Sequence, residues 1–411
     1  MSDRCRSLAI RHREARWLSH DLIAKSDESV FVLLAKYFGW TEVLAPSPAP
    51  SVTPTHRIFA DRSVSDKLGI LAELLDSLAL RVASDVYGLA AQKHSLPQAR
   101  RRLEIASYVA VSHNMDLREQ TARGMALSRK QDLAPRDHVA IQSQLAFAQL
   151  IAGRKAGVWT TFRLRRMTRQ LEVEARGLLC QSPSTWNPDE RQTATVIAQS
   201  RAIFAHNILR LAWFHLPGAL GIIARVARRL GLRFVLAQWA RRTLAKNKQL
   251  VLRIGDLAAI GNLEREQAHA LCLIDRWDES LKSAMVAEEA LGWGRWFQWQ
   301  ANSVRTRGWI WLHIGGRVRR LADYADGQAE KAFIDALDLA QRYALTRGEM
   351  VYDRIKALLE LKRLAAIRSA EFEWEEQLKS DLEVVRERNP GAHARYVAMS
   401  NHTPKSREPL G

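Results

Sequence analysis

The chain has 411 residues, 47% of them hydrophobic, and carries 62 Lys or Arg against 44 Asp or Glu, a net charge of +18. That composition excludes a polymer too polar to bury a core, and its length suits two or three compact domains or one extended repeat array. Three cysteines, Cys5, Cys180 and Cys272, lie too far apart to read as a disulfide framework or a clustered zinc site, which points to a reducing, cytoplasmic setting.

Residues 1–44 read as a small N-terminal helical module. One helical pattern spans Leu8 to Lys25, and a second follows the capping stretch Ser26-Asp27-Glu28-Ser29. Met1 through Leu22 contains Arg and Asp and no apolar signal-peptide core. Residues 45–56, with four prolines, suit an extended linker.

From about Ser63 the chain is a succession of helical patterns separated by short polar turns, and strand-like alternation is hard to find. Asp66–Ala83 places Leu68, Leu71, Leu74, Leu75, Leu78 and Leu80 on a helical stripe. Pro97 opens the next helix, Asp116 caps Leu117–Lys130, and Ala134-Pro135 closes that unit. Helices of this length joined by short turns pack as antiparallel neighbours, and many in series give a solenoid. The expected fold is therefore all-α: stacked antiparallel helix pairs, with a first repeat region over 57–190.

The next segment, 191–255, is basic and apolar together. It holds Arg191, Arg201, Arg210, Arg225, Arg228, Arg229, Arg233, Arg241, Arg242, Lys246, Lys248 and Arg253, and no carboxylate. These twelve account for most of the chain's surplus positive charge. Ile222, Ile223, Val226 and Leu230 share one helical face, with Arg225, Arg228 and Arg229 on the other. Arg225, Arg228, Arg229, Arg233, Arg241, Arg242 and Lys246 are the candidate contacts for an anionic partner: nucleic acid, an anionic membrane surface or an acidic protein. The uncharged run Leu211–Ala224 is too short to span a bilayer, about 21 Å of helix against a ~30 Å hydrocarbon core, and Pro217-Gly218 interrupts it. Attachment through 211–239 is accordingly peripheral.

Residues 256–388 carry the clearest repeat. Ala329, Phe333 and Ala336 stand at relative positions 0, +4 and +7, and Ala268 precedes Ser280 by twelve residues, followed by Ala284 and Ala287. This pattern resembles the tetratricopeptide repeat over roughly the C-terminal third. The resemblance implies small residues at a close helix–helix contact, an aromatic filling the groove between paired helices, and a protein-binding scaffold. Ala268, Ser280, Ala287, Gly308, Ala329, Phe333 and Ala336 are its expected packing positions. Gly308 lies 21 residues before Ala329 rather than twelve, which requires an insertion near Gly316–Tyr324, and Arg191–Asp256 does not show the repeat.

Five tryptophans fall between Trp293 and Trp311, interleaved with Arg295, Arg305 and Arg307. Such spacing serves core packing, a partner groove, or stacking on bases. Trp296, Trp299, Asn302 and Arg305 are the candidate groove residues. No HExxH pair, phosphate-binding Gly-rich loop or GxSxG elbow occurs, so no catalytic residue, cofactor or metal ligand is assigned. His206 and His215, flanking the apolar run, read as ordinary helix residues. Residues 389–411 read as a tail, largely disordered, beginning at Pro390-Gly391. The functional expectation is a helical-repeat adaptor or regulatory scaffold binding another protein through a groove. The alternatives are nucleic-acid binding through 191–255 and peripheral membrane attachment through 211–239. No small-molecule substrate is indicated.

Overall fold

A computed structural model describes residues 104–105, 108, 117–130, 133–213, 222, 226, 231–255, 257–293, 297–342, 350–388 and 390–401. The expected N-terminal module and proline linker, as well as Trp296, Arg225, Arg228 and Arg229, lie outside these residues. The chain divides into two compact units, Met1–Met115 and Asp116–Gly411.

Thirteen α-helices are described, all in the second unit: α1 Leu117–Ser128, α2 Pro135–Ile151, α3 Ala156–Glu174, α4 Arg176–Cys180, α5 Pro188–Trp213, α6 Leu232–Ile254, α7 Leu257–Leu273, α8 Trp277–Trp293, α9 Phe297–Arg317, α10 Ala322–Arg342, α11 Met350–Arg368, α12 Glu375–Arg388 and α13 Pro390–Asn401. Among the described residues there is no strand. The helices pair as α2/α3, α5/α6, α7/α8, α9/α10 and α11/α12. The first helices of successive pairs also touch in series, α2 on α5, α5 on α7, α7 on α9 and α9 on α11, with α13 completing the row against α11. Stacking each pair on the next buries apolar faces that no single pair could cover, which is the physics of an α-solenoid.

Turn chemistry fits this arrangement. Pro135 sits in the first turn of α2, where its missing N–H has no helical partner to lose, behind an extended Ala134. Gly255 ends α6 at φ 72°, a left-handed conformation that glycine adopts without a Cβ clash, and its N–H donates to Val251 O. Asp275 makes the α7–α8 turn at φ 61° while the Arg276 N–H returns to Leu271 O. Pro390 opens α13 rather than a tail, and Tyr396 on that helix is buried against the α11–α12 pair. Residues 402–411 are outside the description.

Within pairs, small residues admit close contact. Ala268, Ser280, Ala287, Ala329, Phe333 and Ala336 are all buried, and Ser280 Oγ donates to Ala268 O at 2.6 Å across α7/α8. The ring of Phe333 lies against Gly308, where an added Cβ would stand 2.5 Å from Cε1. Gly261 and Leu291 repeat this arrangement one pair earlier, at 2.4 Å from the Leu291 Cγ. The long Gly308–Ala329 interval is taken up by the length of α9 and by a 3-10 turn, Arg319–Leu321. Buried polar ties join the earlier helices: Asn207 Nδ2 donates to Thr161 Oγ1 at 3.0 Å, and Asn247 Nδ2 to Ala198 O at 2.8 Å.

Gly308→Ala is expected to destabilise the fold by about 1–3 kcal/mol, because a rigid ring stands in the way of the new methyl. Combining it with Phe333→Leu should recover part of the loss, a positive coupling read from denaturant midpoints. Additive effects would place the ring elsewhere. Ala336→Trp, at a position 2% exposed, should likewise lower the thermal midpoint.

Candidate functional site

Among the described residues, buried charge gathers along the row of first helices, where α5, α7, α9, α11 and α13 adjoin. At its centre is Glu266 on α7, 3% exposed. His206 Nδ1 on α5 lies 3.0 Å from Glu266 Oε1, and the Arg265 Nη2 donates to the same oxygen at 2.9 Å. His269 Nδ1 approaches Oε2 at 3.3 Å. A carboxylate can only accept, so it selects Nδ1 as the protonated nitrogen of both rings. The other nitrogens face polar partners: His206 Nε2 accepts from Arg210 Nε at 2.7 Å, and His269 Nε2 lies 3.0 Å from Thr306 Oγ1, whose hydroxyl donates to Asn302 O at 3.0 Å.

Electrostatics follow from this packing. Burial by itself would raise the Glu266 carboxyl, but His206, Arg265 and His269 outweigh it and hold it well below the usual range. Burial lowers both histidines, although Glu266 opposes the effect, and so favours the neutral rings. Burial also lowers Arg210 to about 10, and it lowers Arg305. Aromatic rings frame the group. Trp213 meets His269 edge-on at 5.4 Å, Trp309 lies 5.7 Å from His269, and Phe147 lies 5.5 Å from His206.

The cluster continues through α9 to α11 and α13. Arg305 Nη2 donates to Asn302 Oδ1 at 2.6 Å. Asp353 and Glu360 on α11, together with Tyr396 on α13, favour the Arg305 charge. Arg363 and Glu360 form an ion pair at 2.5 Å with almost no exposure. Lys356 Nζ stands 3.4 Å from Asp353 Oδ1. Lys356 and Arg395 hold the Tyr396 hydroxyl below its usual range despite burial. Among the described residues, no three of His, Cys, Asp and Glu form a metal-binding group.

Trp299, Asn302 and Arg305 fall beside this cluster. Trp299 is half-buried with the Arg265 guanidinium 5.4 Å from its ring centre, and Arg305 stands over Trp309 at 5.0 Å. The other members of the cluster, Glu266, His206, His269, Arg210, Glu360, Arg363 and Arg395, are ones that sequence reasoning did not select as site residues. Their only mark in the sequence is a charged or imidazole side chain on helix faces that also carry buried apolar residues.

The basic segment is distributed over several environments. Arg201 pairs with Glu172 at 2.8 Å and Lys248 with Glu264 at 2.7 Å, carboxylates supplied by neighbouring helices. Arg253 donates to the carbonyls of Leu179 and Gln181 and covers Trp186. Arg233 turns inward, its Nη2 lying 3.1 Å from His313 Nδ1. Arg241 is half-buried beside Gln238, whereas Arg242 and Lys246 are exposed one turn apart. Of the apolar run, Trp213 is fully buried, and no helix among the described residues is long and apolar enough to cross a membrane. Cys180 is exposed, and Cys272 is buried with its thiol pushed up by desolvation.

No family model matches the chain, and no curated protein matches it significantly in sequence. Among solved structures it is similar to a circular tandem repeat protein with novel repeat topology and enhanced subunit contact surfaces. The identity is 15%, over 97% of this chain and 90% of that one, with a TM-score of 0.22. A superposition of that quality carries no argument about function.

Glu266→Gln is expected to cost about 3–5 kcal/mol, because it leaves buried arginine charge without its nearest carboxylate. Urea denaturation measures the loss; a change below ~1 kcal/mol would mean that solvent neutralises the cluster. A second prediction concerns acid. Burial first, then Arg233 and Arg317, lower His313 from 6.5 to about 4, against the raising effect of Asp275. A histidine depressed in the fold contributes stability that is present above its unfolded pKa and lost as pH falls. The thermal midpoint should therefore drop between pH 6.5 and 4. His313→Gln, which keeps an acceptor for Arg233, should flatten that part of the curve.

Proposed function

We propose that this chain is a helical-repeat adaptor or regulatory scaffold, of tetratricopeptide-like construction, that holds a protein partner against its row of first helices. The observation that carries the reading is the gathering of Trp299, Asn302 and Arg305 with Arg265, Arg210 and Arg395, from four different helices, on this row. Partly exposed aromatic and arginine side chains that their neighbours already hold in place are the kind that dominate protein–protein recognition. A photo-cross-linking residue at Asn302 should capture a stoichiometric protein in the native cell. The same probe at exposed Lys331, on a second helix, should not. Equal capture at both positions, or recovery of nucleic acid alone, would overturn the proposal.

A second reading, nucleic-acid binding, draws support from the second helices. Arg163, Arg166 and Arg169 on α3 and Arg242 and Lys246 on α6 are exposed, and the two helices touch where Phe162 stacks on Trp239 at 5.8 Å. If these five cations contact duplex phosphates, log affinity should fall against log salt with a slope of about −4.5. Replacing Arg242 and Lys246 with Gln should make that slope shallower by about 2. An unchanged slope would leave this surface a solvated face.

A further inference from the structure

We infer that Arg210, Arg265, Arg305 and Arg395, which the proposed protein groove also contains, form a binding site for a multiply charged phosphate group. The four come from α5, α7, α9 and α13. Arg265, Arg305 and Arg395 are all close enough to Arg210 to disfavour its charge.

Three observations carry the inference. The first is charge. Glu266 is the carboxylate that Arg210 and Arg265 share, while Asp353 lies beside Lys356 and Glu360 beside Arg363. With the histidines neutral, cations outnumber carboxylates in a region where water is largely excluded and surplus charge is costly.

The second is unfilled donor capacity. Arg305 is 8% exposed, and its Nε is buried without a hydrogen-bond acceptor. Arg395 Nε is in the same state, and its Nη2 donates to the Tyr396 hydroxyl at 3.4 Å. A buried donor left unmade is expensive, so an acceptor supplied from outside gains the difference.

The third is preorganisation. Each guanidinium lies over an aromatic ring: Arg210 over Phe147 at 5.9 Å, Arg265 over Trp299 at 5.4 Å, Arg305 over Trp309 at 5.0 Å and Arg395 over Tyr396 at 5.0 Å. Rings fix the planes of the forks, and planar forks match the oxygens of phosphate pairwise. A single carboxylate would leave the site positive, whereas a phosphate monoester or diphosphate brings the two or three charges that balance it. Access is from the side of the half-buried Trp299, Asn302 and Arg395.

The test is thermal unfolding of the full chain with inorganic pyrophosphate, against sodium chloride at matched ionic strength. Pyrophosphate should raise the midpoint by several degrees at saturation, as a ligand of the folded state must. It should also change tryptophan fluorescence. Arg305→Lys, which keeps charge but loses the fork, should weaken binding at least tenfold. Arg319→Gln, on an exposed turn, should leave it unchanged. Should Arg305→Lys fail to fold, Trp299→Leu, which releases Arg265 from its ring, should weaken binding by a smaller factor. Adenosine diphosphate and a short single-stranded oligonucleotide separate the sources: a stronger shift with either assigns the phosphate to a nucleotide or to a strand. A midpoint shift no larger than that of chloride, or equal loss in Arg305→Lys and Arg319→Gln, would overturn the inference. Loss of cross-linking at Asn302 with the pyrophosphate shift intact would count against the protein groove and not against this site.

Discussion

One buried carboxylate organises the middle of this fold. Glu266 accepts from two imidazoles and a guanidinium at once, and those groups come from two helices of successive pairs. Removing a carboxylate from water is costly, and only several well-placed donors offset it. The arrangement therefore fixes more than a pair of contacts. It sets the tautomers of His206 and His269, and through the first the position of Arg210.

Around that centre, two kinds of packing divide the labour. Between partners in a pair, contact is apolar and close, with Gly308 under Phe333 and Gly261 under Leu291. Between successive first helices, contact includes buried polar and charged groups. Apolar contacts are non-directional and tolerate small shifts, whereas hydrogen-bonded ion pairs do not. The second kind restricts how one pair can rotate on the next. Arg307 has a related part on the other side of α9, bridging Glu288 on α8 and Asp335 on α10.

The central segment shows how tertiary structure redistributes a feature that looks uniform in sequence. Its run of cations without a carboxylate suggested a single positive field. In the fold, Arg201 and Lys248 find Glu172 and Glu264 on adjacent helices, Arg233 turns toward His313, and Arg253 binds carbonyls. Arg242 and Lys246 face solvent. The repeat is not visible in this segment's residues, yet α5 and α6 pair as the later helices do. Longer helices and a different set of small residues, Ala205, Ala212, Ala237 and Ala240, serve the same close approach.

The helical class and the packing of helices in neighbouring pairs were legible in the sequence, because they depend on local propensity and on spacing of a few residues. Ala329, Phe333 and Ala336 declare a shared face of one helix at helical period without reference to the rest of the chain. The charged cluster was not legible. His206, Glu266, Glu360 and Arg395 lie far apart, and each alone looks like an ordinary polar residue of an amphipathic helix. Whether such a side chain faces water or a buried partner is decided by which helices stack and in what rotation. That depends on the summed packing of every pair, so only the tertiary structure could turn scattered charges into a site.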